Sequence, residues 1–150
     1  SAVAGLLFDC DGTLLDTMPL FYHSWEEVCP AFNLKMSIDD FYSYAGVPLP
    51  EIVREMHRQQ LSGEASDDFV HSFLEAKQSA HERIEAKFGH PEPIECVVKL
   101  AREAEAAGVP IGMATSGLRC HVEAHLAAAQ LDDLFNQKKN NIVYAADVPK

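Results

Sequence analysis

The chain has 150 residues, 47% hydrophobic and 23% charged, with a formal net charge of −11. That suffices for one core and a small appendage of ordinary globular composition. The charge argues against a nucleic acid or an anionic membrane as partner. It leaves room for an anionic substrate, because a cation held in a site inverts the local field.

No stretch approaches a membrane span, and nothing at the start resembles a signal peptide. Cys10, Cys29, Cys96 and Cys120 show no C-x-x-C spacing. They read as reduced thiols, and the expected location is a reducing, intracellular compartment. That means the cytoplasm by default, or an organelle if a targeting segment was removed ahead of residue 1.

The first predicted element is a buried strand from Ala2 to Phe8. Asp9-Cys10-Asp11-Gly12-Thr13 follows it. Two carboxylates at a strand's carboxyl end share one space if the chain stays extended, and their repulsion calls for a cation. Cys10 is turned away as a packing residue, and Gly12 permits a tight exit. One carboxylate can attack as a nucleophile while the other handles protons, with magnesium holding both. The competing local explanation is an Asx-rich turn.

From Pro19 to about Leu61 the pattern is helical, with Leu20, Trp25 and Val28 on one face. Ser37 and Asp40 resemble a capping box. Pro50 opens a helix that carries Ile52, Val53 and Met56. A longer helix, Asp67 to Phe88, has Phe69, Phe73, Ala80 and Ile84 as its apolar stripe. Gly89 to Pro93 reads as a linker. Beyond it, helix and strand alternate. A helix with Ile94, Val97, Val98 and Ala101 stops at Gly108, and Val109 to Ala114 is a strand. A helix from about Gly117 carries Leu118, Val122, Leu126 and Ala129, and Asn141 to Ala145 begins a third strand. Such alternation implies a parallel sheet, with ligands bound outside the carboxyl ends of its strands. Both Asp9-Asp11 and Thr115-Ser116-Gly117 fall at that edge. A hydroxyl there, with the N–H groups of a helix start, makes an anion site; the alternative is a plain helix cap.

The string Phe8-Asp9-Cys10-Asp11-Gly12-Thr13-Leu14-Leu15-Asp16-Thr17 resembles the first motif of the haloacid dehalogenase superfamily, in the branch of β-phosphoglucomutase and small phosphatases. Ala114-Thr115-Ser116-Gly117 resembles its second motif, with Thr115 best aligned to the phosphate-binding hydroxyl and Ser116 as the neighbouring alternative. The resemblance implies an α/β, Rossmann-like parallel-sheet core over residues 1–15 and 89–150, with an all-helical cap over 16–88. It implies Mg2+-dependent phosphoryl transfer to Asp9, with Asp11 as acid and base. Magnesium would be held by Asp9 and by Asp11 through its main-chain carbonyl. The expected partner is a small phosphorylated metabolite such as a sugar phosphate, with no nucleic acid and no membrane.

The family's third motif, a lysine in Gly-Lys-Pro, lies about two positions past Lys150, and its last acidic pair has no counterpart. The expectation is an amino-terminal part of a longer protein, weak in magnesium binding and activity by itself. Dehalogenases of this kind lack the second aspartate, so Asp11 favours phosphoryl transfer. A mutase is the alternative, weakened by Phe21 where a histidine is expected and Leu49 where an arginine is. A binding module that kept the fold and lost catalysis is the alternative of another class. His121 and His125, at i and i+4, can bind zinc from one helix face, with no third ligand evident in the sequence.

Overall fold

The computed structural model describes residues 4–148. In chain order its elements are β1 (Leu6–Phe8), α1 (Met18–Val28), α2 (Ile38–Ser43), α3 (Leu49–Gln60), α4 (Asp67–Phe88), α5 (Glu95–Ala106), β2 (Ile111–Thr115), α6 (Arg119–Ala128) and β3 (Ile142–Tyr144). They divide into two units. One takes the chain up to Met18 and again from His90, and the other runs Pro19–Gly89.

The first unit is α/β. Its strands lie in the order β1-β2-β3 and pair in parallel. Phe8 stands beside Met113, which stands beside Ile142, and Thr115 stands beside Tyr144. One sheet face carries Phe8, Met113 and Tyr144 into a core with Leu14, Leu15, Val122, Leu126, Leu134 and Phe135. Each such side chain contributes about 1.5–3 kcal/mol when fully buried. On the other face Leu7 is 72% exposed and Val143 49%. The apolar runs predicted buried strands, yet Leu7 and Val143 on this face are exposed.

The first strand is also shorter than its apolar run: Ala4 and Gly5 precede the ladder, and Ala2 lies outside the described residues. Leu118, predicted on the apolar face of α6, is the residue before that helix and is exposed. Pro149 and Lys150 lie outside the described residues.

The second unit is helical. Trp25, Phe32 and Phe73 stack at its centre, with ring centroids 5.2 Å (Trp25–Phe73) and 4.9 Å (Phe32–Phe73) apart. Ser37 and Ser66 cap α2 and α4 by accepting the N–H of Asp40 and Phe69. Phe73, Ala80 and Ile84 of the predicted α4 stripe are buried; at the helix start Val70 is buried and Phe69 only partly so. Lys77 lays its ammonium 5.4 Å from the Trp25 ring centre and 5.7 Å from that of Phe21. Burial pulls its pKa down to about 8. No helix among the described residues is long and apolar enough to cross a membrane.

Candidate active site

The chain turns immediately after β1. The Cys10 carbonyl accepts the N–H groups of Thr13, Leu14 and Leu15 at 3.3, 3.0 and 3.1 Å, and Gly12 N–H reaches the Leu15 carbonyl at 2.8 Å. Gly12 sits at φ +73°, in the left-handed region, and a Cβ there would press on Met18 at 3.2 Å. Burial alternates along the turn: Asp9 is exposed, Cys10 fully buried and Asp11 half-buried. Burial, then the charges of Asp11 and Asp9, push the Cys10 thiol up to about 12. It is a packing group and not a nucleophile.

Thr115 ends β2. Its hydroxyl oxygen accepts the Gly117 N–H at 3.0 Å, which leaves its own proton to donate elsewhere. Neither Thr115 nor Ser116 caps α6, because Leu118 holds the N-cap position and makes no side-chain cap. Gly117 has no room for a side chain. A Cβ there would lie 3.2 Å from Asp11 Oδ2, 3.2 Å from Thr115 Oγ1 and 2.7 Å from Val122 Cγ2. The Asp11 carboxylate and the Thr115 hydroxyl therefore border one point in space, though their residues are far apart in sequence. Asp9, Thr115 and Ser116 also line one open pocket of about 380 Å³, together with Tyr144, Ala145 and Val148.

The Asp11 carboxyl is held above its ordinary range. Burial is the main cause; the Thr17 hydroxyl pulls the other way, Asp9 adds to the rise, and His125 opposes it. Thr17 is fully buried, and its hydroxyl makes no bond of normal hydrogen-bond geometry. None of the ion pairs among the described residues involves Asp9 or Asp11. Asp9 Oδ2 is approached only loosely, by the Thr13 hydroxyl at 3.5 Å. Two carboxylates at one strand end form a hard oxygen donor set, which suits Mg2+.

The structure thus brings Asp11 to Thr115, and Asp9 to Thr115 and Ser116. Sequence reasoning missed Gly117 and the Arg119 contacts beside the site. Arg119, at the start of α6, sets its guanidinium 4.1 Å from the Tyr144 ring centre and bonds Asp147 at 2.9 and 3.0 Å. It ties α6 to Tyr144 and to the turn after β3. Gly117 could have been suspected from its place in Thr-Ser-Gly. The pairing of Arg119 with Asp147 leaves no local signal.

A family profile described as haloacid dehalogenase-like hydrolase matches residues 6–149. Pyrophosphatase PpaX of Oceanobacillus iheyensis is 23% identical over 135 residues, which is 90% of this chain and 58% of that protein. Fructose-1-phosphate phosphatase YqaB of Escherichia coli is 28% identical over 137 residues, 83% of this chain and 69% of that one. A HAD hydrolase of family IA, variant 3, from Entamoeba histolytica superposes with a TM-score of 0.74 at 21% identity, over 99% of this chain and 64% of that chain. A variant of CbbY from Rhodobacter sphaeroides, solved with xylulose-(1,5)bisphosphate, gives 0.69 at 19% identity, over 99% and 66%. The chain spans 58% of the pyrophosphatase and 64% of the Entamoeba chain. At these identities the solved structures speak for the fold, whereas the profile covers nearly the whole sequence. The chain belongs to the haloacid dehalogenase-like hydrolases.

Proposed function

We propose that this chain carries the nucleophile, the acid–base group and the phosphate anchor of a Mg2+-dependent phosphatase acting on a small phosphomonoester, such as a sugar phosphate. The observation that carries the reading is the convergence of the Asp11 carboxylate and the Thr115 hydroxyl on Gly117. Asp9, at the mouth of the adjoining pocket, attacks phosphorus in line. The bond to the leaving oxygen breaks as the aspartyl-phosphate forms. Asp11 gives its proton to that oxygen, and in the second step takes one from the water that attacks the aspartyl-phosphate. A carboxyl held above the ordinary range by burial suits the first of these tasks. Thr115 donates its free hydroxyl proton to a phosphoryl oxygen, and Ser116 offers a second hydroxyl. Asp9 and Asp11 are the residues that would hold Mg2+, which when bound neutralises charge on the transferring group.

Residues 1–15 and 89–150 serve in this reading as the catalytic core, and 16–88 as a cap that excludes water and selects substrate. Relatives named as phosphatases support hydrolysis over isomerisation. The test is a phosphate-release screen over phosphomonoesters on the full-length protein, with and without Mg2+. Release is expected only with the ion, and Asp9→Asn should abolish it. Near-wild-type turnover by Asp9→Asn would remove Asp9 from the mechanism. Bisphosphate-dependent isomerisation of a hexose phosphate, without net phosphate release, would replace the phosphatase by a mutase.

A further inference from the structure

The segment that bears Thr115 and Gly117 runs straight into α6, and that helix does little to fix its own start. Leu118 at the N-cap makes no side-chain cap, and the first turn holds no acidic residue, so two common ways of securing a helix start are missing. Arg119 supplies another. It is the first residue of α6, two after Gly117. Its guanidinium lies 4.1 Å from the Tyr144 ring centre, and one of its nitrogens donates to both Asp147 oxygens, at 2.9 and 3.0 Å. On its own helix it has Glu123 at 3.8 Å. Tyr144 belongs to the core and stands beside Thr115 in the ladder. Asp147 is tied back in turn, because its Oδ2 accepts the Tyr144 N–H at 3.4 Å. The Arg119 side chain is thus fastened to β3 and the turn after it. Its backbone continues the segment in which Thr115 Oγ1 accepts the Gly117 N–H at 3.0 Å. A guanidinium packs on aromatic rings and presents its donors in a rigid plane, and an ammonium does neither as well.

We propose that Arg119 and Asp147 are a positioning pair for the phosphate anchor, holding the 115–119 segment so that the Thr115 hydroxyl meets the phosphoryl group of the substrate. The inference rests on the phosphatase reading above and adds to it two residues that act through Thr115. It also fixes the sign of the effects. If Arg119 drew the phosphate by charge alone, a lysine would replace it, and removal of the Asp147 charge would tighten anion binding. A positioning pair fails in both variants.

The test is calorimetric titration of the full-length protein with inorganic phosphate in excess Mg2+, well below the melting temperature, which needs no turnover. Arg119→Lys and Asp147→Asn should each bind phosphate about tenfold more weakly than wild type, the scale of one lost hydrogen bond to an anion. Arg102→Met breaks another half-exposed ion pair of the same unit, that with Asp133, and should bind as wild type does. Wild-type affinity in Arg119→Lys, wild-type or tighter binding in Asp147→Asn, or an equal loss in Arg102→Met would overturn the pair. Thr115→Val keeps the two readings apart. Weakened binding in Thr115→Val beside wild-type affinity in Arg119→Lys would leave Thr115 as the anchor and remove only the positioning pair. Unchanged affinity in Thr115→Val, or no phosphate uptake by wild type, would remove the anchor itself and the pair with it.

Discussion

Gly117→Ala separates packing from chemistry at the candidate active site. Ordinarily a glycine-to-alanine change stabilises by about 0.4–1 kcal/mol, because it restricts the unfolded chain. The backbone of Gly117 does not lie in the left-handed region, so that gain is open to it. The new methyl, however, would sit 2.7 Å from Val122 Cγ2, closer than carbon atoms approach. Overpacking of this kind costs about 1–3 kcal/mol, so a net loss of about 1–2 kcal/mol is expected. The same methyl lies 3.2 Å from both Asp11 Oδ2 and Thr115 Oγ1, and both groups must shift. Val122→Ala removes the clashing carbon but leaves these two contacts. Alone it costs about 1 kcal/mol or more through the cavity it opens. In the double variant the stability losses should fall short of their sum by about 1 kcal/mol, a coupling typical of touching residues. Activity should not follow. In Gly117→Ala, kcat/KM should drop at least about tenfold, equivalent to about 1.4 kcal/mol at the transition state, and it should stay down in the double variant. Urea midpoints on the four proteins give the stability cycle, and phosphate release from the best substrate gives the activity cycle. Wild-type kcat/KM in Gly117→Ala, or parallel recovery of stability and activity in the double variant, would show that Gly117 only packs against Val122.

Lys77→Met should stabilise the helical unit. With the folded pKa lowered by burial to about 8 from 10.5, the unfolded chain binds the extra proton between those values, so the penalty is full below pH 8 and fades as pH rises. The shift bounds the gain at about 3 kcal/mol, and lost attraction to the two rings offsets about 1 kcal/mol of it. Denaturation at pH 7 and pH 10 checks this, and an equal gain at both would refute it. Under native conditions a thiol reagent should label Cys96 and Cys120, which are exposed, and spare Cys10 and Cys29, which are buried. Mass spectrometry of the labelled peptides reads the result, and rapid labelling of Cys10 would contradict its packing role. Arg119→Met should cost about 1 kcal/mol through the lost ring contact and the half-exposed ion pair. Thermal unfolding of Arg119→Met, Asp147→Asn and the double variant should be less than additive, and strict additivity would argue against the link between α6 and the turn after β3.

Much of this was legible in the sequence, for identifiable reasons. The acidic turn after β1 and the hydroxyls after β2 are local patterns, each an apolar run followed at once by polar residues. The boundaries of α4 were readable because Ser66 caps one end and Gly89 closes the other. What escaped depends on partners distant in sequence. Leu118 fits the apolar period of α6, yet the helix begins one residue later and leaves it in solvent. Leu7 belongs to an unbroken apolar run, which cannot say that one sheet face stays open. His90 carries no hint in its surroundings that it meets His125.

The meeting of Asp11 with Thr115 follows from two things, only one of them written locally. Parallel strands joined by crossovers present their carboxyl ends at one edge, whatever their order in the chain, so any polar residues placed after two such strands become neighbours. Which neighbours they become is set by register. Phe8 lies beside Met113, so the ladder ends with Asp9 one step below Thr115, and the turn locked by the Cys10 carbonyl then sends Asp11 toward Gly117. A one-residue slip of β1 would carry Phe8 out of the core and turn Asp9 into it, since side chains alternate with period two. The phenylalanine that anchors the core and the acidic side chain proposed as nucleophile are thus fixed by the same constraint. The edge-on contact of Phe8 with Phe135, with ring centres 5.9 Å apart, therefore holds the geometry of the site as well as the stability of the fold.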